Sequence, residues 1–369
     1  MNTKERMKAA LRYQKYDRLP VIQFGYWQET LEKWRSEGHL TREESTGWAD
    51  GNAVDDKISA KLGFDCGWNC FVTKTDLFPG FETKVVRRFA DGTRHVQNRD
   101  GVVVIEKDGT GAIPSEVGHL LTDRKSWEEH YLPRLQFSPE RVDANMLHNR
   151  TATEGYENPI GIWCGSLFGR IRDWMGIEGV SYLYADDEKL YEEIIDTVAN
   201  LCYRVVEQTL SAGVKFDFAA FWEDICFKNG PLVIPDVFKL LVGPHYKKIT
   251  SLLTRNGIDI ISVDCDGVID SLVPIWLENG VNTMFPIEVG VWNASIKPWR
   301  EKYGKELRGV GGMNKNVFAR DYAAVDAEIE RLRPLVALGG YIPCPDHRIA
   351  PDAKWENVQY YCERMRETF

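Results

Sequence analysis

From Pro159 onward the chain alternates short apolar runs with longer stretches whose apolar positions repeat at helical spacing. The runs NPIGIWC, KFDFAAFW, IDIISVD, VNTMFPIE, ELRGVGG and GGYIP have the unbroken apolar character of strands buried on both faces of a parallel sheet. Amphipathic helices are predicted between them over 187–211, 236–255, 268–279 and 322–337. Gly213, Gly257, Gly280, Gly304 and Gly339 or Gly340 fall where these helices should stop, as left-handed C-caps do. Upstream, LPVIQFGYW and CGWNCFVTK supply two further strands, and helical patterns cover 50–62 and the opening residues. The opening helix, capped by Thr3 and followed by Pro20, is predicted to act as a lid or plug.

Between the early and late strands the rhythm changes. FETKVVRRFADGTRHVQNRDGVVVIEKDG alternates apolar and polar residues, with Asp91-Gly92 and Asp100-Gly101 at the bends, which predicts an inserted β-meander over 80–110. Eight strands with intervening helices are the count of a closed barrel. The predicted fold class is therefore α/β: one domain over 1–369, a (β/α)8 TIM-type barrel with an N-terminal helical extension and the meander. A doubly wound open sheet is the rival, but no G-x-G-x-x-G follows any strand.

Composition narrows the function classes. Apolar residues make up 43% and charged residues 27% of the 369 positions, which suits a globular protein. The net charge of −9 argues against a general nucleic-acid binder. No apolar run reaches the roughly 18 residues of a membrane span, and the charged, amphipathic start is unlike a signal peptide. A cytoplasmic location with no membrane or nucleic-acid partner is expected. The eight cysteines match no zinc-finger or disulfide spacing and read as reduced thiols.

In a barrel the chemistry lies at the C-terminal ends of the strands, and here those ends are polar. KFDFAAFW runs into Glu223-Asp224, IDIISV into Asp264-Cys265-Asp266-Gly267, VNTMFPI into Glu288, ELRGVGG into Met313-Asn314-Lys315, and GGYIP into Cys344, Asp346 and His347. Asp264 and Asp266, two apart, share a strand face and suit a cation or polar substrate, while Cys265 points the other way. Asp266-Gly267 reads equally as a turn with one carboxylate capping the next helix. Pro343, Pro345 and Pro351 stiffen the loop that carries His347. Tyr26, Trp27, Trp68, Trp163, Trp222 and Trp292 near strand ends would form an apolar wall for a flat substrate, or fill the upper core.

Several longer segments carry a family resemblance. TKERMKAALRYQKYDRLPV resembles an N-terminal helix with an Asp-Arg-x-Pro strand start. IGIWCGSLFGRIRDWMG, ENGV and VNTMFPIEVG resemble the central units, and GGYIPCPDHRIAPDAKWENVQYYCERMRE resembles the closing strand, loop and helix. On these residues the chain, over almost its whole length, resembles the uroporphyrinogen decarboxylase superfamily, which includes cobalamin-dependent methyltransferases. The resemblance implies a single barrel. In the decarboxylase branch an Arg-Gln-Ala-Gly-Arg-Tyr-like segment follows the first strand. Here that place reads QFGYWQETLEKWRSEG, without the arginine pair that would bind a polycarboxylate, and only Asp76 stands for the pyrrole-binding aspartate.

In the methyltransferase branch a His-x-Cys-Gly motif and a later Cys hold zinc. Aligned on Gly267, this chain has Asp264 and Asp266 there, and His347 at the later position. The resemblance thus implies a zinc-like divalent metal on Asp264, Asp266 and His347, in a harder donor set than thiolates, and a corrinoid supplied by a partner protein. The expected function is methyl transfer between a small substrate and that corrinoid protein. Glu223, Asp264, Asp266 and His347 are the expected catalytic residues, and Trp163, Trp222, Glu288, Asn314 and Asp76 the substrate contacts. The alternatives are porphyrinogen decarboxylation, without metal or cofactor, and a non-catalytic barrel that binds a small ligand. The sequence leaves a homodimer open.

Overall fold

In the computed structural model, which describes residues 1–71, 73–107, 115–143, 145 and 157–369, the apolar runs become short strands. β1 (Ile22–Gln23) pairs in parallel with β2 (Cys66–Gly67), and β3 (Cys70–Phe71) follows two residues later. The meander comprises β4 (Lys84–Arg88), β5 (Arg94–Gln97), β6 (Val102–Glu106) and β7 (Glu116–His119), antiparallel in that order. It therefore extends past the predicted limit of 110 by a fourth strand, and positions 108–110 of the predicted excursion lie outside the described residues. β8 (Gly161–Trp163) and β9 (Phe218–Trp222) come next, then the small hairpin of β10 (Cys226–Phe227) and β11 (Gly230–Pro231). β12 (Ile261–Asp264), β13 (Thr283–Phe285), β14 (Arg308–Met313) and β15 (Tyr341–Pro345) complete the series.

β3, β8, β9, β12, β13, β14 and β15 form one seven-stranded parallel sheet in that spatial order, as right-handed strand-helix-strand units produce. Its register sets Trp222, Asp264 and Phe285 side by side at one level. At the other margin Tyr26, just beyond β1, makes a parallel bridge to Ile349, just beyond β15. There the Ile349 N–H donates to the Gly25 carbonyl at 3.0 Å, and the Trp27 N–H to the Ile349 carbonyl at 3.2 Å. The architecture is α/β, a large parallel sheet in a TIM-barrel-like arrangement behind N-terminal helices.

The helices differ from the sequence pattern where proline intervenes. The stretch predicted over 236–255 is two helices, Pro235–Leu241 and Gly243–Arg255, because Pro244 cannot donate back into the first. The segment predicted over 268–279 shortens to Val273–Glu278, with Pro274 at its start. The opening helix, Thr3–Leu11, is capped by Asn2 rather than Thr3, in a capping box with Glu5. It is a plug at the N-terminal ends of the strands: the Gly340 N–H donates to the Ala10 carbonyl, the Tyr13 hydroxyl to Leu307, and Arg12 pairs with Asp259 at 2.6 Å. The opposite end of the sheet is thereby left as the open one.

One apolar core runs under the sheet and includes the fully buried Trp34, Trp127, Trp174 and Trp276. Val96, Val102 and Val104 of the meander form a separate small cluster. At Gly311, φ +124°, any Cβ would collide with the Pro286 carbonyl, so only glycine lets the end of β13 lie this close to β14. Among the described residues no helix is long and apolar enough to cross a membrane.

Candidate active site at the strand ends

Three carboxylates converge beyond β9 and β12. Along β9 the even positions Ala220, Trp222 and Asp224 face one side, and along β12 so do Ser262, Asp264 and Asp266; these six line one cavity of about 550 Å³. Asp224, Asp264 and Asp266 each offer an oxygen within 4.8 Å of the others'. Asp224 sits at φ +48°, a left-handed turn that aspartate tolerates, and its Oδ1 accepts the Asp266 N–H at 3.0 Å. Burial, then the neighbouring Asp266 charge, pushes the Asp224 carboxyl up to about 6. Burial likewise raises Asp264, followed by the charges of Asp224 and Asp266.

The cluster is able to coordinate a metal ion. Among the described residues Asp266 Oδ1 is buried without a hydrogen-bond partner, which suits a metal-ligand atom. An all-oxygen donor set is hard, and suits Mg²⁺, Mn²⁺ or Ca²⁺ better than zinc. Of the residues expected to hold a metal, Asp264 and Asp266 belong to this cluster together with Asp224, and His347 lies outside it. His347 Nε2 is 3.5 Å from Asp266 Oδ2, and the ring is stacked on Trp27 at 5.5 Å and tilted against Phe24 at 5.5 Å.

Six Phe and Trp side chains line the cavity: Phe24, Trp27, Trp68, Trp163, Trp222 and Phe285. Trp163 is fixed by its indole N–H, which donates to Thr75 Oγ1 at 3.1 Å. Asp76 faces the same space and pairs with Arg170 at 3.2 Å, while the Arg170 guanidinium lies 4.8 Å above the Trp222 ring. Burial raises the Asp76 carboxyl, opposed by the Arg170 charge. Across the cavity Arg348 is paired with Asp50 at 2.6 Å. Arg141, itself buried, donates to the carbonyls of Lys74 and Asp76 and so holds the segment that carries Thr75 and Asp76.

Other expected residues lie elsewhere. Glu223 is fully buried on the opposite face of β9 and is absent from the cavity lining. Its carboxylate accepts from Ser166 Oγ, from the N–H groups of Leu167, Phe168 and Gly169, and from the Tyr246 hydroxyl, so it anchors the start of the helix Gly169–Asp186. Glu288, 8% exposed, does not line the cavity either; its Oε2 is unpartnered, and burial followed by the Asp266 charge raises its carboxyl to about 7. The Asn314 side chain accepts the Asn316 N–H and caps a short 3-10 turn. Tyr26 is buried against Trp34 and Trp48, and Trp292 packs on Phe227.

Asp346, 1% exposed, accepts the N–H groups of Val289, Gly290 and Lys315 and ties together the loops after β13, β14 and β15. The wall residues Phe24, Phe285, Asp50, Arg170 and Arg348, with Asp224, are additions to the predicted site. For Asp224 the signal was in the sequence, since it lies two residues from Trp222.

No family model matches the chain, and no curated protein matches it. Among solved structures it is similar to a methyltransferase from Methanosarcina mazei, at 16% identity and a TM-score of 0.61, over 100% of this chain and 99% of that one. It is also similar to a B12-independent methionine synthase from Shewanella sp. W3-18-1 in complex with selenomethionine, at 15% identity and a TM-score of 0.49, over 94% of this chain and 98% of that one. The first likeness, at this identity, is one of fold.

Proposed function

We propose that the chain is a closed (β/α)8 barrel methyltransferase of the uroporphyrinogen decarboxylase superfamily, moving a methyl group between a small substrate and a corrinoid carried by a partner protein. The observation that carries the reading is the convergence of Asp224, Asp264 and Asp266 on an aromatic cavity at the strand ends of a fold like that of the Methanosarcina mazei methyltransferase. The Tyr26–Ile349 bridge supports closure, since it links the first strand to the last. Asp224, Asp264 and Asp266 would hold a hard divalent cation, which would supply a Lewis-acid anchor for a substrate oxygen. His347, packed on Trp27 and Phe24, would bind a polar group of the substrate beside Asp266. The aromatic wall would seat the methyl-bearing end of the substrate.

Porphyrinogen decarboxylation is disfavoured by the charge of the cavity. Five aspartates line it against two arginines, both already ion-paired, which repels a polycarboxylate. Metal analysis of protein purified without chelator tests the main reading. We expect close to one hard divalent ion per chain, its loss in Asp264→Ala, and a change in the corrinoid spectrum on turnover. A protein that neither holds nor is thermally stabilised by Mg²⁺ or Mn²⁺, and leaves the corrinoid spectrum unchanged, overturns it. Stabilisation by a small ligand without product in single-turnover assays would instead identify a binding barrel.

A further inference from the structure

The sign and texture of the cavity select its ligand, on the reading that this is the methyl-transfer site. Of the charged groups that line it, Asp50 is matched by Arg348 and Asp76 by Arg170, which leaves Asp224, Asp264 and Asp266 without a guanidinium or ammonium partner, Asp266 having the His347 imidazole at 3.5 Å. A divalent ion cancels at most two charges of the three carboxylates, so the cluster does not become positive with or without it. An anionic ligand meets no unpaired guanidinium on the lining. The wall around this negative floor includes six Phe and Trp rings, and the faces of such rings attract cations. The wall already holds one in this way, the Arg170 guanidinium over Trp222.

Trp68 adds an independent constraint. It lines the cavity at 7% exposure, stacked on Phe218 at 4.1 Å, and its indole N–H has no hydrogen-bond partner among the described residues. A buried donor without an acceptor is costly, and a ligand oxygen would satisfy it.

We infer that the substrate is a methylated ammonium compound that also bears a neutral oxygen, its cationic methyl groups seated against Trp27, Trp163 and Phe24 and its oxygen toward the acidic floor and Trp68. An amino alcohol or an amino ketone has this chemistry; a carboxylate or phosphate ester does not. When a quaternary ammonium gives up a methyl group, the C–N bond breaks with its electron pair left on nitrogen, so a neutral tertiary amine departs and no proton is needed. A reduced corrinoid on the proposed partner protein would supply the two electrons of the bond to the departing methyl group.

Isothermal titration of the full chain with choline and with its neutral carbon isostere, 3,3-dimethylbutan-1-ol, separates charge from shape. We expect choline to bind at least about fivefold more tightly, the size of one well-placed cation–π contact. Trp27→Leu should reduce that preference severalfold and Trp27→Phe restore most of it, with circular dichroism confirming that both variants are folded. A preference below about fivefold, or no binding of choline at millimolar concentration, overturns the inference. The titration is run on metal-loaded and on chelator-stripped protein: a cation preference that persists while no metal is held and no methyl group moves refutes the methyltransferase reading and leaves the ligand class standing.

Discussion

Asp224 and Glu223 are neighbours with opposite duties, and the difference is one step of strand alternation. Glu223, directed away from the cavity, organises Leu167, Phe168 and Gly169 from within the core. Glu223→Ala would strand those N–H groups, and we expect a loss on the order of 3 kcal/mol in urea denaturation, with metal content per folded chain unchanged. Applying to Trp222 the period of two already used for Asp264 and Asp266 picks out Asp224, so this much was legible. The ion pairs of Asp50 with Arg348 and Asp76 with Arg170 were not, because each joins positions far apart in the chain.

Glu288 provides a pH test at the same scale. Its folded carboxyl titrates at about 7, above the ordinary 4.5, so between those values the folded chain keeps a proton that the unfolded chain releases. Stability contributed by that proton is present at pH 4 and is lost as pH rises through 7, by an amount on the order of 2 kcal/mol. In metal-stripped protein, Glu288→Gln should match the parent at pH 4 and exceed it at pH 8, which denaturation at both values would measure.

Among the elements, the loops after the strands give the site its shape, and there the sequence was least informative. The strands themselves were legible because runs such as FAAFW and ISVD are apolar enough to be buried on both faces. Helix limits failed at Pro244 and Pro274, where amphipathic spacing continues although the hydrogen-bond ladder does not. Asp346 shows how loops acquire order: one buried carboxylate takes three backbone N–H groups from two other loops. Asp346→Ala should cost about 2–4 kcal/mol and raise amide exchange at Val289, Gly290 and Lys315 together, with His347 loosened as a result.

Across the whole molecule, the main core and the meander differ in how much they bury. The meander's own buried cluster is three valines, Val96, Val102 and Val104, set apart from the apolar mass beneath the parallel sheet. We expect its amides to exchange well before those of β9 and β12, a difference that native-state hydrogen exchange would resolve. The parallel arrangement of the strands was foreseen from the alternation of pattern. A closed barrel, with the first strand beside the last, was expected from the count of eight, and among the described residues an isolated bridge at Tyr26 and Ile349 joins those two margins.

The three acids stand on two adjacent strands, whereas Phe24, Trp27 and Trp163 come from other parts of the chain. On the proposed function, choice of ligand and binding of an ion would thus rest on separate residues. A laboratory evolution campaign confined to the aromatic positions should then retrain the cavity for new molecules while leaving the acidic cluster intact.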